Sequence, residues 1–106
     1  MPAETQPSQG EIWWAEAEDK RRPVLIVSRS EAAHHLNRVI VAPVTRTIRG
    51  IPTEVRLDES SGLSAECVAS FDNLTPQPVS MLTERVGSVP LAREKICTAL
   101  EALADC

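Results

Sequence analysis

The sequence predicts a mainly β fold, a small and mostly antiparallel sheet or partly open barrel that is capped by one C-terminal helix. Two observations predict it. Short runs rich in β-branched residues recur between polar turns, which is typical of strands, and beyond Pro90 the apolar spacing changes to that of a helix. At 106 residues, the chain is long enough for one domain with its own core.

The first strand is predicted in the segment GEIWWAEAE, which begins at Gly10 and places Ile12 and Trp14 on one face. Because neighbouring strand residues point to opposite faces, only one of the two tryptophans is expected in the core. The polar letters AEDKRR at residues 17–22 then predict a loop. The apolar run PVLIVS at residues 23–28 predicts a buried second strand.

The middle of the chain predicts one more buried strand between two polar connections. Residues 29–36 predict a loop or a helical turn. Residues 37–45 predict the strand, in which Pro43 marks a bulge or an edge. Residues 46–51 predict a polar connection that turns at Gly50.

The second half of the chain brings the predicted total to five or six strands. Apolar and polar residues alternate over residues 52–58, which predicts a half-exposed strand, and residues 59–63 predict a turn. Residues 67–71 predict the next strand, residues 72–78 a loop, and residues 84–89 a short last strand.

The two ends of the chain differ in character. Pro90 suits the first turn of a helix. The apolar residues of that helix fall on one stripe, formed by Ile96, Ala99, Leu100 and Leu103. Residues 1–9 are polar and contain two prolines, so we expect a flexible tail there and a single domain over residues 10–106.

The composition argues against a disordered or membrane-spanning chain. Charged residues make up 25% and hydrophobic residues 42%, as in ordinary folded proteins. The longest apolar runs fall far short of the roughly 20 residues of a membrane span, and the polar N-terminus predicts no secretory signal. The three cysteines, Cys67, Cys97 and Cys106, lack metal-ligand spacing and predict reduced thiols in a cytoplasmic protein.

The charges are distributed unevenly along the chain. Eight basic and two acidic residues lie between Lys20 and Arg56, a local charge of +6, whereas the rest of the chain carries −10 and the whole carries −4. A local basic patch attracts phosphates whatever the net charge, because screening limits the interaction to about 8–10 Å. The alternative is that these arginines are scattered over the surface without a common ligand.

Most catalytic motifs do not occur in the sequence. There is no CxxC, HExxH, GxSxG or glycine-rich phosphate loop. The only histidines, His34 and His35, are adjacent and do not converge on one site from a helix or a strand, so we expect them on the surface. Cys67 falls in a predicted strand and is expected in the core.

One pair of residues is left as a candidate for chemistry. Arg22 stands just before the second predicted strand, and Thr45 ends the third. If these strands pair antiparallel, the guanidinium and the hydroxyl meet at one end of the sheet, beside Arg46 and Arg49 on the next connection. Such donors suit the charge that develops on a phosphodiester during cleavage.

Five blocks along the chain resemble the MazF/PemK toxin family over about residues 10–103. In chain order they are GEIWWAE, RRPVLIVS, VIVAPVTRTIRGIPTEV, GL followed by ECVASFDN, and RVGSVP before the helix. The resemblance implies an SH3-like antiparallel barrel of the CcdB/Kid/MazF type with a C-terminal α-helix. It also implies a homodimeric, metal-independent endoribonuclease without a cofactor. Such toxins cut single-stranded RNA by attack of the 2′-hydroxyl, leave 2′,3′-cyclic phosphate and 5′-hydroxyl ends, and so inhibit translation and growth.

The same resemblance implies roles for single residues. Arg22 matches the family's catalytic arginine, Thr45 its catalytic threonine, and Asn73 a polar residue of the RNA groove. The basic residues expected to bind RNA beside them are Lys20, Arg21, Arg46 and Arg49. The implied partner is a cognate MazE-like antitoxin whose acidic tail covers the RNA site. Neither a membrane nor DNA binding by the toxin alone is implied.

The connection between the first two strands departs from the family pattern. It is short and lacks the GSEQ-like stretch of many members, so Glu18 and Asp19 are only candidate stand-ins for acid–base work. The base is left open, because an arginine side chain does not readily accept a proton. Two alternatives stay open as well: a non-catalytic SH3-like binding module and a CcdB-like gyrase poison.

Overall fold

A computed structural model of the chain describes residues 6–17, 20–29 and 37–104. The described part contains seven strands and one α-helix. Their bounds are β1 Glu11–Ala17, β2 Lys20–Ile26, β3 Arg38–Thr45, β4 Glu54–Leu57, β5 Cys67–Ser70, β6 Thr75–Pro78, β7 Leu82–Ser88 and α1 Ala92–Ala104. The predicted mainly β architecture with a C-terminal helix is therefore confirmed, with one strand more than expected.

The strands form one curved antiparallel sheet in the order β4-β5-β3-β2-β1-β7, with β6 paired to β3 outside this path. One side of β3 is shared, because residues Arg38 to Val41 pair with β6 and Val44 and Thr45 pair with β5. Pro43 lies between these two stretches, opposite Val24 of β2. The irregularity expected at Pro43 thus takes the form of a change of partner strand.

The alternation of side chains along the strands builds two core clusters, one on each face of the sheet. Ile12 belongs to the larger cluster, which includes Phe71 and the helix residues Ile96 and Ala99. Trp13 belongs to the smaller cluster and is the buried tryptophan. The helix stripe is confirmed for Ile96, Ala99 and Leu100, which belong to or pack against the larger cluster, but not for Leu103, which is 40% exposed.

The loop predicted over residues 17–22 is wrong for most of its length. Ala17 ends β1, and Lys20, Arg21 and Arg22 are the first three residues of β2. They pair with β1 through their backbone, Arg21 opposite Glu16 and Arg22 opposite Ala15. The polar side chains misled the prediction, because backbone pairing at an exposed sheet end does not require apolar residues.

The loop predicted over residues 72–78 is also partly wrong. Its first residues form a 3₁₀ turn, but Thr75–Pro78 is the strand β6. Two of its four residues are prolines, which lack the N–H that a central strand needs. Because β6 pairs only with β3 among the described strands, these prolines are tolerated at an edge.

The described end of the predicted tail, residues 6–9, packs on the domain. Pro7 is fully buried, and the Gln9 side chain donates a hydrogen bond of 2.9 Å to the carbonyl oxygen of Val27. The expected flexibility therefore does not extend to Gln9. Most of the loop or turn predicted over residues 29–36, including both histidines, lies outside the described residues. Within the described parts, no helix has the length and apolarity to cross a membrane.

Candidate active site

The register of β2 and β3 brings Arg22 and Thr45 together. Val24 lies opposite Pro43 and Leu25 opposite Ala42, so continuing the antiparallel register by two residues places Arg22 opposite Thr45. Both residues line the same two cavities, which meet at this end of the sheet. The two residues that the sequence predicted to meet therefore line the same cavities, and their catalytic role stays a prediction.

The smaller cavity, about 450 Å³, has an almost entirely polar lining. We call it the small cavity. Its charged and polar side chains are those of Arg22, Arg49, Thr45, Thr47, Ser70, Asn73 and Glu54. Among the described residues, neither Arg22 nor Arg49 forms an ion pair. Both guanidinium groups are therefore available to bind an anionic ligand.

The hydroxyl of Thr45 is oriented by the backbone of Thr47. Its oxygen accepts a hydrogen bond of 3.1 Å from the backbone N–H of Thr47. A threonine hydroxyl carries one hydrogen and two lone pairs. Because this contact uses a lone pair, the hydrogen is left for donation to an anionic oxygen in the cavity.

Glu54 holds the connection that carries Arg49. One carboxylate oxygen, Oε1, accepts hydrogen bonds from the backbone N–H groups of Arg49 at 3.1 Å and Gly50 at 2.9 Å. Gly50 adopts a positive φ of 71°, a conformation that glycine takes without steric cost. Three contacts on one carboxylate thus shape the turn after β3, the third being a longer bond from Arg49 N to Oε2.

Asn73 lies on the opposite wall of the small cavity. Its side-chain nitrogen donates a hydrogen bond of 3.0 Å to the hydroxyl oxygen of Ser70. Beside it, the Thr53 hydroxyl donates to Asp72 at 2.8 Å and ties this turn to the start of β4. The sequence distance between Asn73 and Arg22 is large, but the turn after β5 brings them to one cavity.

The larger cavity, about 610 Å³, lies on the other side of Arg22 and Thr45, and we call it the large cavity. Its apolar lining includes Val44, Leu63 and Val86. At its edge stand Trp14 and the remaining basic residues expected to bind RNA. These residues are Lys20, Arg21 and Arg46.

Arg21 is already occupied by neighbouring side chains, unlike Arg22. Its guanidinium contacts Glu16 Oε2 at 3.0 Å and Glu84 Oε1 at 2.8 Å. It also lies over the ring of Trp14, 4.6 Å from the ring centroid. These contacts join β2 to β1 and β7 and fix the orientation of the side chain.

Cys67 lines the large cavity but is not a reactive thiol. Burial raises the pKa of Cys67, and the positive charge of Arg46 opposes the rise only in part. The thiol therefore stays protonated at neutral pH, and only the thiolate is nucleophilic. Cys67 belongs to the larger core cluster, as the sequence predicted.

The structure gathers most, but not all, of the sequence-predicted site. Arg22, Thr45, Arg49 and Asn73 share the small cavity. Glu18 and Asp19, the acid–base candidates, lie outside the described residues. Sequence reasoning missed Glu54, and the only signal for it was an acid placed four residues after Gly50 in a basic segment. Among the described residues, no group of three metal-ligating side chains comes together.

Solved structures share this fold over nearly the whole chain. The Mycobacterium tuberculosis toxin MazF-mt6 superposes with a TM-score of 0.82 at 38% identity, over 90% of this chain and 96% of that one. A mycobacterial endoribonuclease in complex with its cognate antitoxin superposes with a TM-score of 0.79 at 31% identity, over 92% and 95% of the two chains. Fold and site thus define the class, a MazF-type toxin half-barrel.

Sequence comparison narrows the class to a family. A family model described as PemK-like, MazF-like toxin of type II toxin-antitoxin system matches residues 8–106. A Mycobacterium tuberculosis protein named "Probable endoribonuclease MazF5" is 42% identical over 103 residues, 94% of each chain. The chain belongs to the MazF/PemK family of toxin endoribonucleases, which confirms the resemblance found in the sequence.

Proposed function

We propose that the chain is a metal-independent endoribonuclease that cuts single-stranded RNA at the junction of the two cavities. The observation that carries this proposal is the shared position of Arg22 and Thr45, which line both cavities. An RNA phosphate at the junction has nucleotides on either side of it. The two cavities offer room for these flanking nucleotides.

The cleavage step follows from the groups at the junction. The ribose 2′-oxygen forms a bond to phosphorus, the bond from phosphorus to the 5′-oxygen breaks, and a 2′,3′-cyclic phosphate and a 5′-hydroxyl result. Arg22 stabilises the extra negative charge of the phosphorane, and Thr45 donates its hydroxyl hydrogen to a non-bridging oxygen. Arg49 binds a neighbouring phosphate.

Two proton transfers accompany these bond changes. The 2′-hydroxyl loses its proton to a base, and the 5′-oxygen gains one from an acid. The candidates for this acid–base work are Glu18 and Asp19, which precede the first residue of β2, Lys20, in the sequence. Arg22 itself is unsuited as the base, because its guanidinium remains protonated.

The same surface is the proposed contact for a regulatory partner. A mycobacterial relative is known in complex with its cognate antitoxin. We propose a MazE-like antitoxin whose acidic segment covers Arg22, Arg49 and Thr45. The two arginines form no ion pair among the described residues, so both can pair with acidic side chains of the antitoxin. We also propose a cytoplasmic homodimer that inhibits translation and growth when it is free of antitoxin.

A metal-free digest tests the proposed activity. Wild type and Arg22→Ala are incubated in EDTA with a long unstructured RNA, and the new ends are mapped. We expect discrete cuts with 5′-hydroxyl ends from wild type, and a rate about 10²–10³ lower for the variant. The matched control is Arg93→Ala, because Arg93 is an exposed arginine of α1 that lines neither cavity.

The outcomes separate the rival functions. Intact RNA from folded wild type, with RNA still bound, indicates a binding module. Intact RNA together with inhibition of purified DNA gyrase indicates a gyrase poison. Cleavage by Arg22→Ala within threefold of wild type removes Arg22 from the mechanism.

A further inference from the structure

We propose that the large cavity is a nucleobase subsite whose wall is the stacked pair of Arg21 and Trp14. This inference rests on the proposed RNA cleavage and adds to it the determinant of sequence preference on one side of the cut. Its occupant is one base of the single-stranded RNA, the base next to the phosphate held by Arg22 and Thr45.

The charge around Arg21 disfavours a phosphate as its ligand. Glu16 and Glu84 both contact its guanidinium, so the three side chains together carry one negative charge. A phosphate approaching Arg21 meets two carboxylates at short range. Arg49 and Arg22, by contrast, form no ion pair among the described residues, and the carboxylate of their cavity, Glu54, contacts the backbone N–H of Arg49 and not a guanidinium. Members of the same basic segment therefore serve different ligands.

The geometry around Arg21 favours a flat, uncharged ligand. The guanidinium lies over the ring of Trp14 at 4.6 Å, and two carboxylates contact it from the side chains of Glu16 and Glu84. These three contacts restrain the orientation of its plane in the cavity that it lines. Bases of single-stranded RNA stack on arginine planes and on aromatic rings, and a rigid plane loses little entropy when a base binds.

The remaining walls of the large cavity suit a base as well. Val44, Leu63 and Val86 supply an apolar floor. Gly62, at a positive φ of 89°, turns the chain so that Ser64 also lines the cavity. Arg22 and Thr45 line this cavity too, and so a base within it belongs to a nucleotide adjacent to the cut.

RNA with a single abasic nucleotide tests the subsite. Each position within two nucleotides of a mapped cut is made abasic in turn, and cleavage and binding are measured for wild type and Arg21→Ala. Binding uses the same RNAs with a 2′-deoxy sugar at the cut. We expect one abasic position to weaken wild-type binding about 5- to 150-fold, the range for one stacked base. Arg21→Ala should weaken the binding of intact RNA by a similar factor. In this variant, the abasic nucleotide at that position should cause no further loss of affinity.

Two control variants separate stacking from other roles. Arg85→Ala removes an arginine that is also ion-paired, to Glu11 at 2.9 Å, but lines neither cavity, so it should keep the abasic penalty. Arg49→Ala should lower the affinity for intact and abasic RNAs by the same factor. It should also reduce the slope of log affinity against log salt by about 0.7, as expected for one lost phosphate contact. Arg21→Ala should leave this slope unchanged.

Three results overturn the subsite. They are a wild type that tolerates every abasic position, an Arg21→Ala variant that keeps the wild-type penalty, and a salt slope that falls for Arg21→Ala as for Arg49→Ala. Failure of the proposed activity is distinguishable from these. In that case wild type leaves RNA intact, and the abasic nucleotide is instead moved along a short RNA that wild type binds; a binding penalty at one position that disappears in Arg21→Ala still supports the subsite.

Discussion

Thr45 shows how a single backbone contact determines what a side chain does. Its hydroxyl oxygen accepts from the N–H of Thr47, so the hydroxyl hydrogen is free to be donated. The position beside Arg22 then puts that hydrogen at the junction of the cavities. A threonine at a strand end is common, and only these contacts distinguish Thr45 from the others.

The donated hydrogen bond can be tested by two substitutions at the same position. Thr45→Val keeps the shape and removes the hydroxyl, so we expect kcat for RNA cleavage to fall about 10²–10³-fold with little change in KM. Thr45→Ser keeps the hydroxyl and should stay within about threefold of wild type. Equal activity of the valine and serine variants would show that the hydroxyl has no part in the reaction.

Among the elements, the turn after β3 depends on a carboxylate from β4. Glu54 accepts the backbone N–H groups of Arg49 and Gly50, and without it this turn has no comparable support among the described contacts. The side chain of Arg49 is thereby kept at the small cavity. If Arg49 binds RNA as proposed, Glu54 is a positioning residue that acts through Arg49.

The role of Glu54 predicts opposite effects for two substitutions. Glu54→Ala releases the turn, so we expect cleavage to fall about 10–10²-fold, mostly through KM. Glu54→Gln keeps an accepting oxygen and removes a negative charge from the cavity, so RNA binding should be equal or tighter. Cleavage kinetics and binding of a 2′-deoxy RNA measure both effects.

The matched control for Glu54 is Asp58→Ala. Asp58 also accepts a backbone N–H, from Ser60 at 2.9 Å, but lies outside both cavities. We expect this variant to cleave RNA at the wild-type rate. A Glu54→Gln variant with a kcat more than 100-fold lower and unchanged binding would instead identify Glu54 as a proton acceptor.

The helix α1 illustrates why a sequence pattern alone does not determine how much a residue contributes to the free energy of unfolding. Ile96 and Leu103 belong to the same apolar stripe, yet Ile96 is 1% exposed and Leu103 is 40% exposed. The two residues therefore contribute differently to the stability of the isolated chain.

This difference predicts two unfolding free energies. Ile96→Ala should lower the free energy of unfolding by about 2–5 kcal/mol, because it leaves a cavity in the larger core cluster. Leu103→Ala should change it by about 0.5 kcal/mol or less. Urea unfolding of wild type and both variants at one protein concentration measures both, and equal losses would contradict the exposure of Leu103.

At the scale of the whole molecule, an acidic protein presents a basic junction. The net charge is −4, but cations line the two cavities at the end of the sheet where β2 begins and β3 ends: Arg22 lines both, Arg49 the small cavity, and Lys20, Arg21 and Arg46 the large cavity. The field near this end attracts an anionic chain, because screening limits the reach of the distant acids to about 8–10 Å. RNA and an acidic antitoxin segment are therefore expected to compete for one surface.

The sequence by itself determined the class of fold, the family and the central pair. Alternation and the helical stripe are local patterns, so they predicted most strands and the helix. Arg22 and Thr45 could be paired in advance, because antiparallel neighbours bring the start of one strand beside the end of the other. The polar start of β2 and the proline-rich β6 were missed, because the polarity of their side chains does not indicate that their backbones pair with a neighbouring strand.

Only the tertiary structure decided which of the basic residues form ion pairs with other side chains. Arg21 and Arg22 are adjacent in sequence, yet Arg21 is held by Glu84, 63 residues away, and Arg22 is not. Glu54 likewise acquires its role from the turn it holds. Such partners depend on the order and register of the strands, and the contacts are made across the sheet. Local sequence patterns do not predict these contacts across the sheet, so the contacts could be identified only in the folded chain.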